Sequence, residues 1–473
     1  MIRRMFTAAA AALALVFSPV AATAQDFPTQ MPPAGEPPSF VVPAAETFRL
    51  PNGMQVTLVP YGFVPKALIS LRIYSGNLNE GENVWLSDLT GQMLREGAAG
   101  RTGAQIADAA AAMGGNLEVG VGVHETSLSL NVLSEHADEA VALIADVALR
   151  PDFPETELER VRSSLLRNLA VAQTQPQSTA DAALAASYYG DHPYGRLFPT
   201  EAQLKAYSVE DVRRFYSANF GAERARLYVA GRFDPAAVRA AIEKSYSAWA
   251  RGPERLRLPP QPRPGPQVVL VDRPGAAQST IRLAFPAPVA GSPGDIPLRV
   301  SNALLGGAFS SRITTNIREA KGYTYSPFSG ITLNAGESLW TFDADVTTAV
   351  TGPALKEVFY EVRRMQNEPI PEPEAAGMRQ YIAGLFILQN ASPAGVINQL
   401  STRDFHNLPP TWLETYVPAV LSVSAERMKE SARTSLPLDR MTLVVVGDLK
   451  KVRPQLRQVP ELRDAQMKVV KPF

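Results

Sequence analysis

The sequence contains no cysteine, which excludes disulfides, thiol nucleophiles, iron–sulfur clusters and zinc sites built on sulfur. A metal would have to rest on His, Asp or Glu, and the histidines are few: His124, His136, His192 and His406. No two of them fall at ligand spacing. His136 and His192 lie in solvated-looking helix and loop sequence, His124 in a strand-like run beside Glu125, and His406 far away near the other end, so each reads as a surface or hydrogen-bonded residue. A charge surplus is missing as well. Lys+Arg and Asp+Glu are both 46, for a formal net charge of zero, whereas nucleic-acid binders carry a basic excess that neutralises phosphates. Nucleic acid is therefore not an expected partner. Beyond the N-terminal segment no stretch is long and apolar enough to span a bilayer, and no membrane anchor is expected. Also absent are the G-x-S-x-G elbow, the S-x-x-K pair, the phosphate-binding P-loop, the G-x-G-x-x-G turn and any His-x-x-Glu-His frame, which removes most routes to an independent enzyme.

What is present suggests an exported, two-domain globular protein. With 473 residues, 45% of them hydrophobic and 19% charged, the chain exceeds what one core usually serves and has ample apolar material. Arg3-Arg4, an alanine-rich apolar run and Ala22-Thr23-Ala24 form the three-part pattern of a cleaved secretory signal over residues 1–24, which predicts a periplasmic location. Residues 25–46 hold six prolines and read as an extended arm. A second stretch, RGPERLRLPPQPRPGP at 251–266, again has six prolines and reads as a linker.

The segments on either side of that linker repeat. Gln55-Val-Thr-Leu-Val-Pro60 matches Gln267-Val-Val-Leu-Val-Asp272, Leu227-Tyr-Val-Ala-Gly231 matches Leu443-Val-Val-Val-Gly447, and helical patterns open at Pro154-Glu155 and Pro371-Glu372. Three landmarks in one order and at nearly constant offset argue for a duplicated domain. Alternating runs such as Gln55–Val59, Ala67–Tyr74, Glu125–Val132 and Ile281–Phe285 predict strands. Ser87–Glu96, Thr102–Met113, Ala137–Ala148 and Val209–Ala218 predict helices. The fold class expected is α+β: two homologous domains, 47–250 and 267–473, each a mainly antiparallel sheet packed by helices, in a clamshell-type pairing.

One segment is chemically distinctive: LLGGAFSSRITTNIREAKGYTYS, residues 304–326. Gly306-Gly307 should break a helix, Ser310 or Ser311 can cap the next, and Gly322 should end it. Arg318 then sits in the last helical turn and Tyr325 on the extended chain beyond. Together they could donate hydrogen bonds to one carbonyl or carboxylate oxygen; alternatively Arg318 merely caps the helix and Tyr325 is a core aromatic.

At SSRITTNIREAKGYTYS the sequence resembles the pitrilysin/insulinase family of zinc metallopeptidases, whose second domain carries a stretch like SSRLFxxIREKRGLAYS. Asp191-His192-Pro193-Tyr194-Gly195-Arg196 is similar to a common first-domain stretch, and the duplicated halves and central linker agree. The resemblance implies that Arg318 and Tyr325 bind substrate backbone and stabilise the tetrahedral intermediate. It also implies zinc on an inverted His-x-x-Glu-His helix, and here the sequence departs from the family. Asp88, Gly91 and Gln92 stand at the His, Glu and His positions, and the distal ligand would fall near Arg167-Asn168. None of these residues can bind zinc or act as base in the family's manner, so the chain alone is expected to be inactive and to bind no metal or other cofactor. The family's heterodimeric members suggest a division of labour: a sister subunit with an intact motif carries zinc and base, and this chain supplies Arg318 and Tyr325 for peptide substrates. The alternative is a non-catalytic structural or peptide-binding pseudopeptidase.

Overall fold

The computed structural model describes residue 41 and residues 43–261 and 266–473. The candidate signal segment, the arm through residue 40 with residue 42, and linker positions 262–265 lie outside the described residues.

The N-terminal half builds one sheet from β1 (Glu46–Arg49), β2 (Gln55–Pro60), β3 (Lys66–Ile73), β4 (Glu118–Val121), β5 (Thr126–Leu133) and β6 (Ala225–Gly231). The C-terminal half builds another from β7 (Gln267–Asp272), β8 (Gln278–Ala287), β9 (Phe328–Asn334), β10 (Glu337–Thr347), β11 (Thr442–Gly447) and β12 (Met467–Val470). Their strand orders are β4-β5-β3-β6-β2-β1 and β9-β10-β8-β11-β7-β12, so the first five positions coincide. The landmarks matched in sequence are bonded to one another in the same register: Val56 pairs with Leu227 and Val268 with Leu443, both in parallel ladders. Apart from the parallel neighbours of β2 and β7, pairing in both sheets is antiparallel. The sixth position breaks the symmetry. In the first sheet it is filled from upstream by β1, running antiparallel to β2, and in the second from downstream by β12, running parallel to β7. Glu46, the last residue assigned above to the arm, already pairs with Leu58.

The helices repeat too. Ala137–Leu149, Glu155–Thr174 and Pro176–Tyr189 follow β5, and Thr351–Asn367, Glu372–Gln389 and Pro393–His406 follow β10. The third of each trio begins with proline at its first turn, where a missing N–H costs nothing. These third helices are exchanged. Pro176–Tyr189 packs on β7, β8 and β11 of the other half, and Pro393–His406 packs on β3 and β6. Leu184 and Tyr188 meet Val269, Val271, Val444 and Val446 in one buried cluster. Polar bonds fix both contacts: Arg282 Nε donates to Asp181 (2.6 Å), Tyr228 Oη to Asp404 (2.8 Å) and Arg72 Nη1 to Ser401 (3.1 Å). Each sheet therefore has a face that its own half does not cover.

The described part of the linker, 251–261, forms neither helix nor strand, yet it is fastened down. Glu223 N donates to Arg251 O (2.8 Å), and Gly252, at φ +69, lies so close to Gly221 that a Cβ would come within 2.7 Å of its Cα.

Candidate functional site

Ser311 starts the distinctive segment's helix, its hydroxyl accepting the Thr314 N–H (3.3 Å). From Thr314 to Ala320 the helix is wound as a wider π-turn, a form that recurs at functional sites. It stops at Gly322, whose φ of +63 only glycine adopts freely. Tyr323 N then bonds back to Ile317 O (2.8 Å) and Gly322 N to Arg318 O (3.0 Å), so Arg318 occupies the closing turn. Thr324 ties the outgoing chain to β10 through its hydroxyl bond to Asp345 O (2.7 Å).

This turn brings the two expected residues together. Arg318 Cζ lies 5.1 Å from the Tyr325 ring centre and 4.6 Å from that of Phe309. Its Nε faces Glu319 Oε1 at 3.1 Å, while the two terminal nitrogens have no acceptor among the described residues. The side chain thus does not cap its own helix. Tyr325 is 81% exposed and is no core aromatic. A fixed guanidinium with free donors beside an exposed phenol can receive a carbonyl oxygen and favour it as negative charge develops there. Phe309 has no counterpart among the residues picked out from sequence, where only the flanking Gly306-Gly307 and Ser310 or Ser311 carry a local signal.

The second set of positions is built for another purpose. Asp88, Gly91 and Gln92 lie on the helix Leu86–Leu94. The Asp88 carboxylate accepts from Asn77 Nδ2 (2.7 Å), and burial pushes its pKa up. Beside it, buried Glu80 accepts the backbone N–H groups of Trp85 (3.0 Å) and Ser87 (3.1 Å) and the Ser87 hydroxyl (2.6 Å). It thereby satisfies the start of the helix, where Trp85 is held at φ +65. Burial pushes the Glu80 carboxyl up to about 7. A Cβ on Gly91 would meet Val121 Cγ2 at 2.3 Å, so no longer side chain fits there without displacing Val121. Arg167 and Asn168 are exposed on the helix Glu155–Thr174. Zinc does not fit this residue set, and among the described residues no group of three or more His, Asp or Glu side chains is placed to hold a metal.

The histidines depart from the sequence reading in one respect. Three of the four converge where linker and halves meet. His124, in the turn between β4 and β5, lies 4.9 Å from Phe405 and 5.4 Å from Tyr194, ring centre to ring centre; His192 lies 4.4 Å from Tyr194, and His406 4.8 Å from Phe405. Arg255 stacks 3.8 Å over Phe405 and donates to its carbonyl (2.7 Å). Burial holds His124 and His406 down to about 4, so both are neutral members of a packed aromatic cluster. Residues this far apart in sequence leave no spacing signal.

The chain is similar to proteins of known sequence and structure. Residues 58–198 match the family Insulinase (Peptidase family M16), and residues 206–381 match the Peptidase M16 inactive domain. An uncharacterised zinc protease of Mycobacterium bovis is 26% identical over 360 residues, covering 74% of this chain and 79% of the relative. Among solved structures, a peptidase M16 inactive domain from Pseudomonas fluorescens superposes with a TM-score of 0.79 at 23% identity, over 85% of this chain and 98% of that one. A chain of complex III2 from Candida albicans superposes at 0.76 and 16% identity, over 89% of this chain and all of that one. No described helix is long and apolar enough to cross a membrane.

Proposed function

The chain belongs to the M16 insulinase family, as an inactive-type member related to zinc proteases, and from that premise we propose that it is the non-zinc subunit of a heterodimeric peptidase. In this reading a sister subunit with an intact His-x-x-Glu-His helix holds the zinc and the base. This chain contributes Arg318 and Tyr325, which hold a peptide carbonyl and offer donors where the oxyanion develops. One donor of this kind is typically worth about 2.7–4 kcal/mol in the transition state.

The observation that carries the reading is the asymmetry between the two sites. Gly91 and its neighbours are packed into a structural node, whereas the terminal nitrogens of Arg318 meet no acceptor among the described residues and lie beside an exposed Tyr325. Export to the periplasm is part of the proposal and rests on residues 1–24 alone.

The test is reconstitution: the purified chain is mixed with a zinc-bearing sister subunit and cleavage of a fluorogenic unstructured peptide is followed. Cleavage should require both chains and fall about 10²–10³-fold in Arg318→Ala. Activity independent of this chain would leave it a scaffold or binding subunit.

A further inference from the structure

The described part of the linker passes the end of the helix Pro393–His406 and the turn between β9 and β10, and together they enclose a cavity of about 320 Å³. Pockets for small ligands run from about 300 to 1,000 Å³. The wall is held in place. His192 Nε2 donates to Leu258 O (3.0 Å), and Gly336, at φ +78, lies so close to Pro259 that a Cβ there would touch the proline Cβ at 3.8 Å.

Two features of the wall ask for a partner. Arg255 and Arg257 both line the cavity, and neither forms an ion pair among the described residues. Burial presses the Arg255 guanidinium below its ordinary pKa, and the neighbouring charge of Arg257 adds to the effect. Arg255 is already oriented, stacked 3.8 Å over Phe405 and 4.6 Å over Tyr74 with one nitrogen bonded to Phe405 O (2.7 Å). Glu125, an acid that feels its charge, is itself paired with Arg72 at 3.0 Å. The second feature is apolar. Leu256, Leu258 and Val289 are 36%, 40% and 42% exposed and all line this one cavity; single exposed apolar side chains are ordinary, but three gathered round a cavity mark a binding surface. His406, also in the wall, is held neutral by burial and adds a hydrogen-bonding nitrogen without charge.

We infer that this cavity binds a small carboxylate with an apolar body, the C-terminal residue of a short peptide or an aliphatic acid. A carboxylate answers the two guanidinium groups in the forked geometry that arginine favours, and its apolar body covers Leu256, Leu258 and Val289. A bare anion would leave those three side chains in water, and a neutral apolar molecule would leave two like charges unanswered. None of the lining residues belongs to the turn of Arg318 and Tyr325, so the site is independent of the role proposed for that turn.

The test is isothermal titration of the full chain with N-acetylphenylalanine and with octanoate. N-acetylphenylalaninamide and octanamide serve as neutral counterparts, and inorganic phosphate as a bare anion. At least one carboxylate should bind about tenfold or more tightly than its amide and than phosphate, and the better of the two identifies the source. Arg257→Gln should remove most of the advantage of acid over amide without lowering the melting temperature, because that side chain is exposed and has no bond to a described residue. Leu258→Asn should weaken acid and amide alike. Arg255→Gln also removes the stack on Phe405, so the charge argument is read from Arg257. No binding of either carboxylate at millimolar concentration, equal affinity for acid and amide, or carboxylate affinity unchanged in both Arg257→Gln and Leu258→Asn would overturn the inference. So would phosphate binding as tightly as the carboxylates.

Discussion

Gly91 lies against Val121 so closely that a Cβ at position 91 would sit 2.3 Å from Val121 Cγ2. On the proposed reading that Leu86–Leu94 stands where zinc-bearing relatives carry their metal helix, position 91 is restricted here by packing as well as by residue identity. Putting the motif back, as Asp88→His, Gly91→Glu and Gln92→His together, should fail to create a metal site. Overpacking of about 1–3 kcal/mol should lower the melting temperature by several degrees, and metal analysis after dialysis should find well under one zinc per chain. Stoichiometric zinc in an undestabilised triple variant would contradict the account.

The duplication was legible in sequence because strands write themselves as alternating apolar residues, and the landmark pairs Gln55/Gln267 and Leu227/Leu443 turn out to occupy equivalent ladder positions. The turn that brings Arg318 and Tyr325 together was legible from its glycine stop, whereas a role for the pair was implied only by the resemblance at SSRITTNIREAKGYTYS. The exchanged helices were not legible. Pro176–Tyr189 is rich in alanine and has no sharp apolar stripe, so nothing local says which sheet it covers. The convergence of His124, His192 and His406 is likewise a product of long-range packing, as is the use of Glu80 to hold the start of the Leu86–Leu94 helix.

The exchange makes each half depend on the other. Residues 43–252 expressed alone should remain without a cooperative unfolding transition, since β3 and β6 would lose the cover of Pro393–His406. In the whole chain, Leu184→Ala should cost roughly 2–5 kcal/mol. Hydrogen exchange should show the loss of protection in β11 of the opposite half; protection lost only within the N-terminal half would refute the coupling.

Two sets of buried groups should bend stability with pH in opposite directions. Glu80 is raised from 4.5 to about 7 by burial, so its contribution is complete below 4.5 and is lost as pH rises through 7. His124 and His406 are lowered from 6.5 to about 4, chiefly by burial. Their contribution is present above 6.5 and is lost as pH falls through 4. Urea midpoints taken across pH 4–8 should decline on both sides. Glu80→Gln should flatten the alkaline limb and His124→Gln should reduce the acidic one; slopes unchanged in both variants would argue against these assignments.

The central claim is a shared active site, and kinetics of the reconstituted pair tests it most directly. With a zinc-bearing sister subunit held constant, kcat for a fluorogenic peptide should fall about 10²–10³-fold on Arg318→Ala and by a smaller factor on Tyr325→Phe, while the zinc content and the assembly of the pair stay the same. Full activity from the sister subunit alone, or from pairs carrying either variant, would contradict it.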